Sequence, residues 1–128
     1  MRILKANNYP TFNQLPNLVV DTIDLNDIEL TTGMKWLMKR YKPFEDSCSK
    51  VGMLYPITYT DYDHYWEPMR TNRWPTSWDK FVVHNGNKRV YYAKKHGYTH
   101  IEGWFVPNKE TKDIIVRHTY IPKERFPQ

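Results

Sequence analysis

The spacing of apolar positions changes several times along this chain, and each change marks an expected element. Residues 18–23 read Leu-Val-Val-Asp-Thr-Ile and are rich in β-branched side chains, which predicts a strand. Met34, Leu37, Met38 and Tyr41 fall at i, i+3, i+4 and i+7. That spacing predicts a helix over 31–41, with Thr31 or Thr32 as its N-cap. Pro43 is expected to end this helix and to stand in the first turn of the next. Phe44, Ser47, Cys48 and Val51 then repeat the helical spacing, and Gly52 is the expected stop. Residues 56–60 and 80–84 predict strands, 87–96 a helix closed by Gly97, and 99–106 a further strand. Residues 113–121 predict a last strand, reached through a Pro107-Asn108 turn. Residues 1–16 read as irregular, punctuated by Pro10 and Pro16. The order is mixed α/β (α+β) and implies a small mixed sheet flanked by helices.

The richest stretch is 81–90, Phe-Val-Val-His-Asn-Gly-Asn-Lys-Arg-Val. A short apolar strand runs into a glycine turn, and a helix opens with a lysine and an arginine. A helix N-terminus offers unpaired N–H groups and the positive end of the helix dipole, which together suit an anion. Gly86 permits a positive φ or a close backbone approach. Arg89 can grip a phosphate with two parallel bonds. Asn85, Gly86, Asn87, Lys88 and Arg89 are therefore the candidate phosphate-binding residues. Asn-Gly is also a common hairpin turn, but the residues after Gly86 read helical.

Length and composition narrow the classes. A chain of 128 residues fits one domain with a core of its own. The 16% aromatic content and nine prolines favour an ordered domain with rigid loops. A net charge of +5 permits an anionic partner without requiring one. Lys35, Lys39, Arg40 and Lys42 form one basic run, and Lys88, Arg89, Lys94 and Lys95 another; both also read as solvated helix faces. A single cysteine, Cys48, excludes an intramolecular disulfide and any Cys-rich zinc site, and its helical spacing points it to the core. No apolar run approaches a membrane span and the N-terminus lacks a signal-peptide core, so a cytoplasmic setting is expected. His96 and His100 have i, i+4 spacing, but Gly97 interrupts the helix between them, and no metal site is expected. His84 abuts the turn. His118 falls in the expected last strand, and nothing local supports a Cys48–His118 dyad.

Residues 61–79 form a long connection that holds Tyr62, Tyr65, Trp66, Trp74 and Trp78 with Arg70 and Arg73. Arginine beside aromatic rings is a recurring base-recognition pattern, so Trp66, Arg70, Arg73 and Trp74 are candidate base or nucleic-acid contacts. Asp61, Asp63, Glu67 and Asp79 offset the positive charge, and the preferred reading of the same residues is a flap tucked over the core.

Two runs suggest a family. Residues 47–57, Ser-Cys-Ser-Lys-Val-Gly-Met-Leu-Tyr-Pro-Ile, resemble the first signature box of ParB-like domains, a short helix ending in Gly followed by Pro-Ile and a strand. Residues 81–106 resemble the second box, in which a strand leads to a Gly-x-x-Arg turn, a helix with small residues, a Gly and a further strand. Asn85-Gly86-Asn87-Lys88-Arg89, Ala93-Lys94-Lys95-His96-Gly97 and Ile101 carry that likeness. The resemblance spans about residues 18–106 and is to the ParB/sulfiredoxin superfamily. That superfamily includes partition proteins that bind and hydrolyse CTP, sulfiredoxins, free-serine kinases and small phage and plasmid proteins.

The resemblance implies one compact nucleotide-binding domain over 1–128, with an aromatic-rich insertion at 61–79 and a C-terminal strand extension at 107–128. Residues 86–89 would contact a triphosphate. An acidic residue of the first helical region would hold a metal or act as base, and Glu45 and Asp46 match that role equally. There are departures. Lys88 stands where the family often has His or Arg. Asn87 stands where sulfiredoxin needs its cysteine, so sulfiredoxin chemistry is not expected. The chain ends too soon for the DNA-binding and dimerisation domains of partition proteins. The expectation is a phage- or mobile-element-encoded protein that binds a nucleotide or a nucleic-acid phosphate, with Mg²⁺ accompanying a triphosphate. Its reaction, if it has one, would be nucleotide hydrolysis, phosphoryl transfer or nucleic-acid cleavage. The alternative is a non-catalytic module that grips a host protein or DNA through 61–79. Oligomeric state stays open.

Overall fold

The computed structural model describes residues 1–66 and 78–119. Six strands build one mixed sheet: β1 (Ile3–Leu4), β2 (Val20–Asp24), β3 (Ile28–Glu29), β4 (Ile57–Asp61), β5 (Phe81–Asn85) and β6 (His100–Phe105). The spatial order is β1-β6-β4-β5-β3, with β2 also on β6. β6 is the hub. It runs parallel to β1 at Ile3↔His100 and to β4 at Ile57↔Gly103, and antiparallel to β2 from Val20↔Trp104 to Asp24↔His100. β4 and β5 are antiparallel, and their register shifts between Thr58 and Tyr59, so His84 is an extra residue on β5. The small mixed α/β architecture expected from the sequence is the one observed.

Three helices cover the sheet: α1 (Met34–Val51), α2 (Asn87–Lys95) and α3 (Lys109–Thr119). On one face Ile23, Ile57, Tyr59, Val83 and Ile101 pack with Tyr41 and Cys48 of α1 and with Val90, Tyr92 and Ala93 of α2. On the other face Trp104 and Val106 pack with Phe12, Ile114 and Ile115. The alternation of a strand explains the division, since neighbouring residues point to opposite faces. No helix among the described residues is long and apolar enough to cross a membrane.

Several expectations about elements need correction, among them the irregular reading of 1–16, where Ile3–Leu4 pairs with β6 as β1. Pro43 does not end a helix: α1 runs without a break from Met34 to Val51 with Pro43 inside it. Leu37, Tyr41, Phe44 and Cys48 form one stripe that stays in phase across the proline. Leu37, Tyr41 and Cys48 are buried and Phe44 packs against the core. Pro43 lies on the exposed side, where water can take the carbonyl whose helical partner it removes. The cap is Gly33 and not Thr31 or Thr32, and Met34, Met38 and Val51 are more than 40% exposed.

A further correction concerns 113–121, which begins inside a helix and not a strand. Asn108 starts α3 by accepting a bond from the Thr111 N–H at 2.9 Å. Ile114 and Ile115, whose β-branching suggested a strand, bury against Phe12 and Trp104. His118 therefore rides on α3, with Nδ1 2.8 Å from the Ile114 carbonyl oxygen and its ring against Phe12. It belongs to the face opposite Cys48. Residues 120 and 121 lie outside the described residues.

Gly103 lets side chains of β2 and β4 pack closely over β6. A Cβ there would sit 2.9 Å from Ile23 Cδ1, 2.9 Å from Tyr59 Cδ1 and 3.0 Å from Ile57 Cγ1. A ring carbon cannot move aside as a methyl can. Gly103→Ala is expected to destabilise the protein by about 1–3 kcal/mol, read as a lower midpoint in urea unfolding.

Candidate functional site

Strand β5 carries Val82 and Val83, both 0% exposed, into the Gly86 turn. Gly86 has φ 129° and ψ 23° and caps α2 without any side-chain hydrogen bond. A Cβ on it would fall 2.5 Å from Ile57 Cγ2. Only glycine meets both demands. The first intrahelical bond runs from Val90 N–H to the Gly86 carbonyl at 2.9 Å. The amides of Asn87, Lys88 and Arg89 thus precede the helical ladder and point out of its end.

Asn87 faces sideways. Its Oδ1 accepts from the Thr31 N–H at 2.8 Å, and its Nδ2 donates to Thr31 Oγ1 at 3.0 Å. Thr31 precedes α1, whose cap Gly33 also lacks a side-chain bond. Asn87 and Thr31 therefore tie together the lead-ins to two helix N-termini, neither capped by a side chain. Lys88 stands in the first turn of α2, half-buried.

Arg89 lies beneath the turn and not above it. Nη1 donates to the Tyr55 carbonyl at 2.7 Å and to the Pro56 carbonyl at 3.1 Å, and Nη2 donates to the Asn85 carbonyl at 3.2 Å. The guanidinium lies close to Gly86, with Nη2 3.1 Å from where a Cβ of that residue would stand. No carboxylate pairs with it among the described residues. Desolvation lowers its pKa to about 10, so it remains charged at neutral pH. The fork that the sequence assigned to a phosphate is thus largely spent on backbone carbonyls, and its positive charge remains behind the turn.

Glu45 and Asp46 lie elsewhere. The Glu45 carboxylate accepts from Tyr41 OH at 2.8 Å, Lys95 Nζ at 2.9 Å and His96 Nε2 at 3.0 Å, with Lys42 Nζ at 3.5 Å. Asp46 pairs with Lys42 at 3.0 Å on the surface. Lys95 and His96 close the C-terminal end of α2, and nine residues of helix span about 13 Å. The fold therefore does not bring these carboxylates to the turn. The bonds from Lys95, His96 and Tyr41 hold the Glu45 carboxyl down from 4.5 to about 2, and its charge in turn helps push the Tyr41 phenol up.

The remaining candidates divide by position. Trp66 packs on His84 with ring centroids 4.1 Å apart and planes at 30°, while Tyr65 stacks on the same imidazole at 5.2 Å and 18°. Arg70, Arg73 and Trp74 lie outside the described residues. Cys48 is buried, and burial pushes its thiol pKa up, away from a reactive thiolate. The donors at the turn are N–H groups and cations, a set that suits oxyanions and not Mg²⁺; the phosphates would have to bring that ion with them. Among the described residues no group of three or more His, Cys, Asp or Glu side chains could hold a metal.

Thr31 and the Tyr55 and Pro56 carbonyls, which the fold brings to the turn, were not legible as site residues. No family model matches the chain, and no curated protein matches it.

The Glu45 cluster sets a pH dependence. A carboxyl whose pKa falls on folding stabilises the fold above its unfolded value, and that contribution fades as pH drops from 4.5 toward 2. Glu45→Gln is expected to unfold at lower urea than the parent at pH 7. The gap should close as the pH is lowered through that window, as followed by circular dichroism.

Proposed function

We propose that this chain binds a nucleoside triphosphate or a nucleic-acid phosphate at the 86–89 turn, in the manner its resemblance to ParB-like domains implies. One observation carries the reading. A half-buried guanidinium without a carboxylate partner among the described residues is tied to the carbonyls behind a strand-to-helix turn whose cap residue is glycine. An oxyanion seated on the amides of residues 87–89 gains hydrogen bonds from the backbone, attraction from the α2 dipole and the field of Arg89. Lys88 adds a second positive charge in the first turn of α2. Arg89 acts through its charge and by holding the turn in shape. Mg²⁺ arrives on the phosphates and offsets their mutual repulsion.

Binding, and not hydrolysis, is the activity the geometry supports best. Glu45 is engaged by four donors at the far end of α2, about a helix length from the turn, and Asp46 pairs with Lys42 on the surface. Their proposed task is to hold α1 against α2. The source in a phage or mobile element remains part of the same proposal, as an implication of the resemblance.

Thermal melting with ATP, CTP or GTP, with and without Mg²⁺, tests the site. A ligand at a hundredfold its Kd adds about 2.7 kcal/mol and raises Tm by several degrees. Lys88→Ala is expected to weaken binding roughly tenfold, the worth of one charge-assisted bond, and to leave the ligand-free Tm near the parent's. Arg89→Ala also frees three carbonyls from their donor, so its readout is the loss of the ligand-induced shift. A shift left undiminished by both substitutions would remove the turn as the binding site.

A further inference from the structure

Thr58 and Thr60 are 2% and 0% exposed, and neither hydroxyl has a hydrogen-bond partner among the described residues. The Trp66 indole N–H is buried in the same state. Thr31 and Glu45 are also buried, and both are bonded. A buried polar group without a partner is a standing cost, and native structures keep few of them without a use.

These atoms share one region. Alternation along β4 sends Thr58 and Thr60 to the face opposite Ile57 and Tyr59. Thr58 is in register with Asn85, the residue before Gly86. His84 precedes it and lies beneath the Trp66 ring. Tyr55, whose carbonyl holds Arg89, packs in the same cluster as Trp66. The polar wall thus begins at the rim where the 86–89 turn sits and continues down the sheet.

We infer that Thr58, Thr60 and Trp66 form a pocket for a nucleobase, the base of the ligand whose phosphates the turn holds. This rests on the phosphate-binding reading for the ligand's identity. The chemistry is specific to a planar heterocycle. Two hydroxyls can each donate or accept, an indole N–H donates, and the Trp66, Tyr65 and His84 rings offer π-faces at stacking distance. The base enters by parting Trp66 from His84 and takes the stacked position between them. Its polar edge then meets the Thr58 and Thr60 hydroxyls. A wall whose bonds are made only to the right base discriminates against the others, because a wrong edge leaves buried groups unanswered.

Adenosine, guanosine, cytidine and uridine test the pocket without phosphate, and tripolyphosphate tests the turn without a base. Saturation-transfer NMR on the whole chain is expected to show saturable binding of at least one nucleoside. The double variant Thr58→Val/Thr60→Val is expected to weaken it about tenfold, to leave tripolyphosphate binding unchanged and to raise the ligand-free Tm. Trp66→Phe keeps a ring and removes the N–H, and is expected to narrow the preference among nucleosides. Absence of nucleoside binding would overturn the pocket. So would binding that the double variant leaves untouched, since the hydroxyls would then serve a buried water only. Tripolyphosphate that fails to bind would remove the turn while nucleoside binding kept the pocket, so the two failures are distinguishable.

Discussion

Three bonds from one guanidinium fix the rim of this sheet. Arg89 reaches back from the first turn of α2 to the Tyr55 and Pro56 carbonyls, which lead into β4, and to the Asn85 carbonyl, which ends β5. Two antiparallel strands and a helix start are thereby tied at one point. The bonds are charge-assisted and partly buried, so each is stronger than a neutral pair in water. The geometry of Gly86 follows from this knot. The chain must turn within one residue while Ile57 presses from below, and a side chain at that position would collide with it. The open amides of α2 are what remains once the knot is made.

The α1–α2 layer is held by a different kind of contact. Glu45 gathers a phenol, two ammonium groups and an imidazole from two helices around one carboxylate. A buried carboxylate left alone would take up a proton; surrounded by donors it stays charged and locks the crossing. Tyr41 adds an edge-to-face contact with Tyr91 at 4.7 Å, so polar and aromatic packing act at the same crossing. This lock sits at the C-terminal end of α2, whose own first turn carries no acidic residue.

The two faces of the sheet have different chemical characters. One is sealed by α1 and α2 with aliphatic and aromatic residues. The other carries α3 and Trp104, with Thr58 in register with Trp104 and Trp66 packed against the same cluster. An apolar residue at position 58 or 60 would fill the same space without the cost of an unanswered hydroxyl. The presence of threonine there is therefore a choice that packing by itself does not explain.

Local pattern alone determined the strand, glycine and helix sequence from Phe81 to Lys95, the strands of the middle of the chain and the burial of Cys48. Each of these rests on spacing or on a residue with narrow backbone options, and such signals act over a few residues. Pro43 and the 113–121 segment defeated the same logic. A proline on the wet side of a helix is tolerated when the apolar stripe passes it in phase, and Ile114 and Ile115 serve a helix once Trp104 and Phe12 offer a surface. The roles of Arg89, Glu45 and Asn87 were beyond reach of the sequence. Their partners, the Tyr55 and Pro56 carbonyls, Lys95 with His96, and Thr31, lie 33 to 56 residues away. Whether a cation grips a ligand or a carbonyl depends on which backbone the fold delivers to it, and only the tertiary structure decides that.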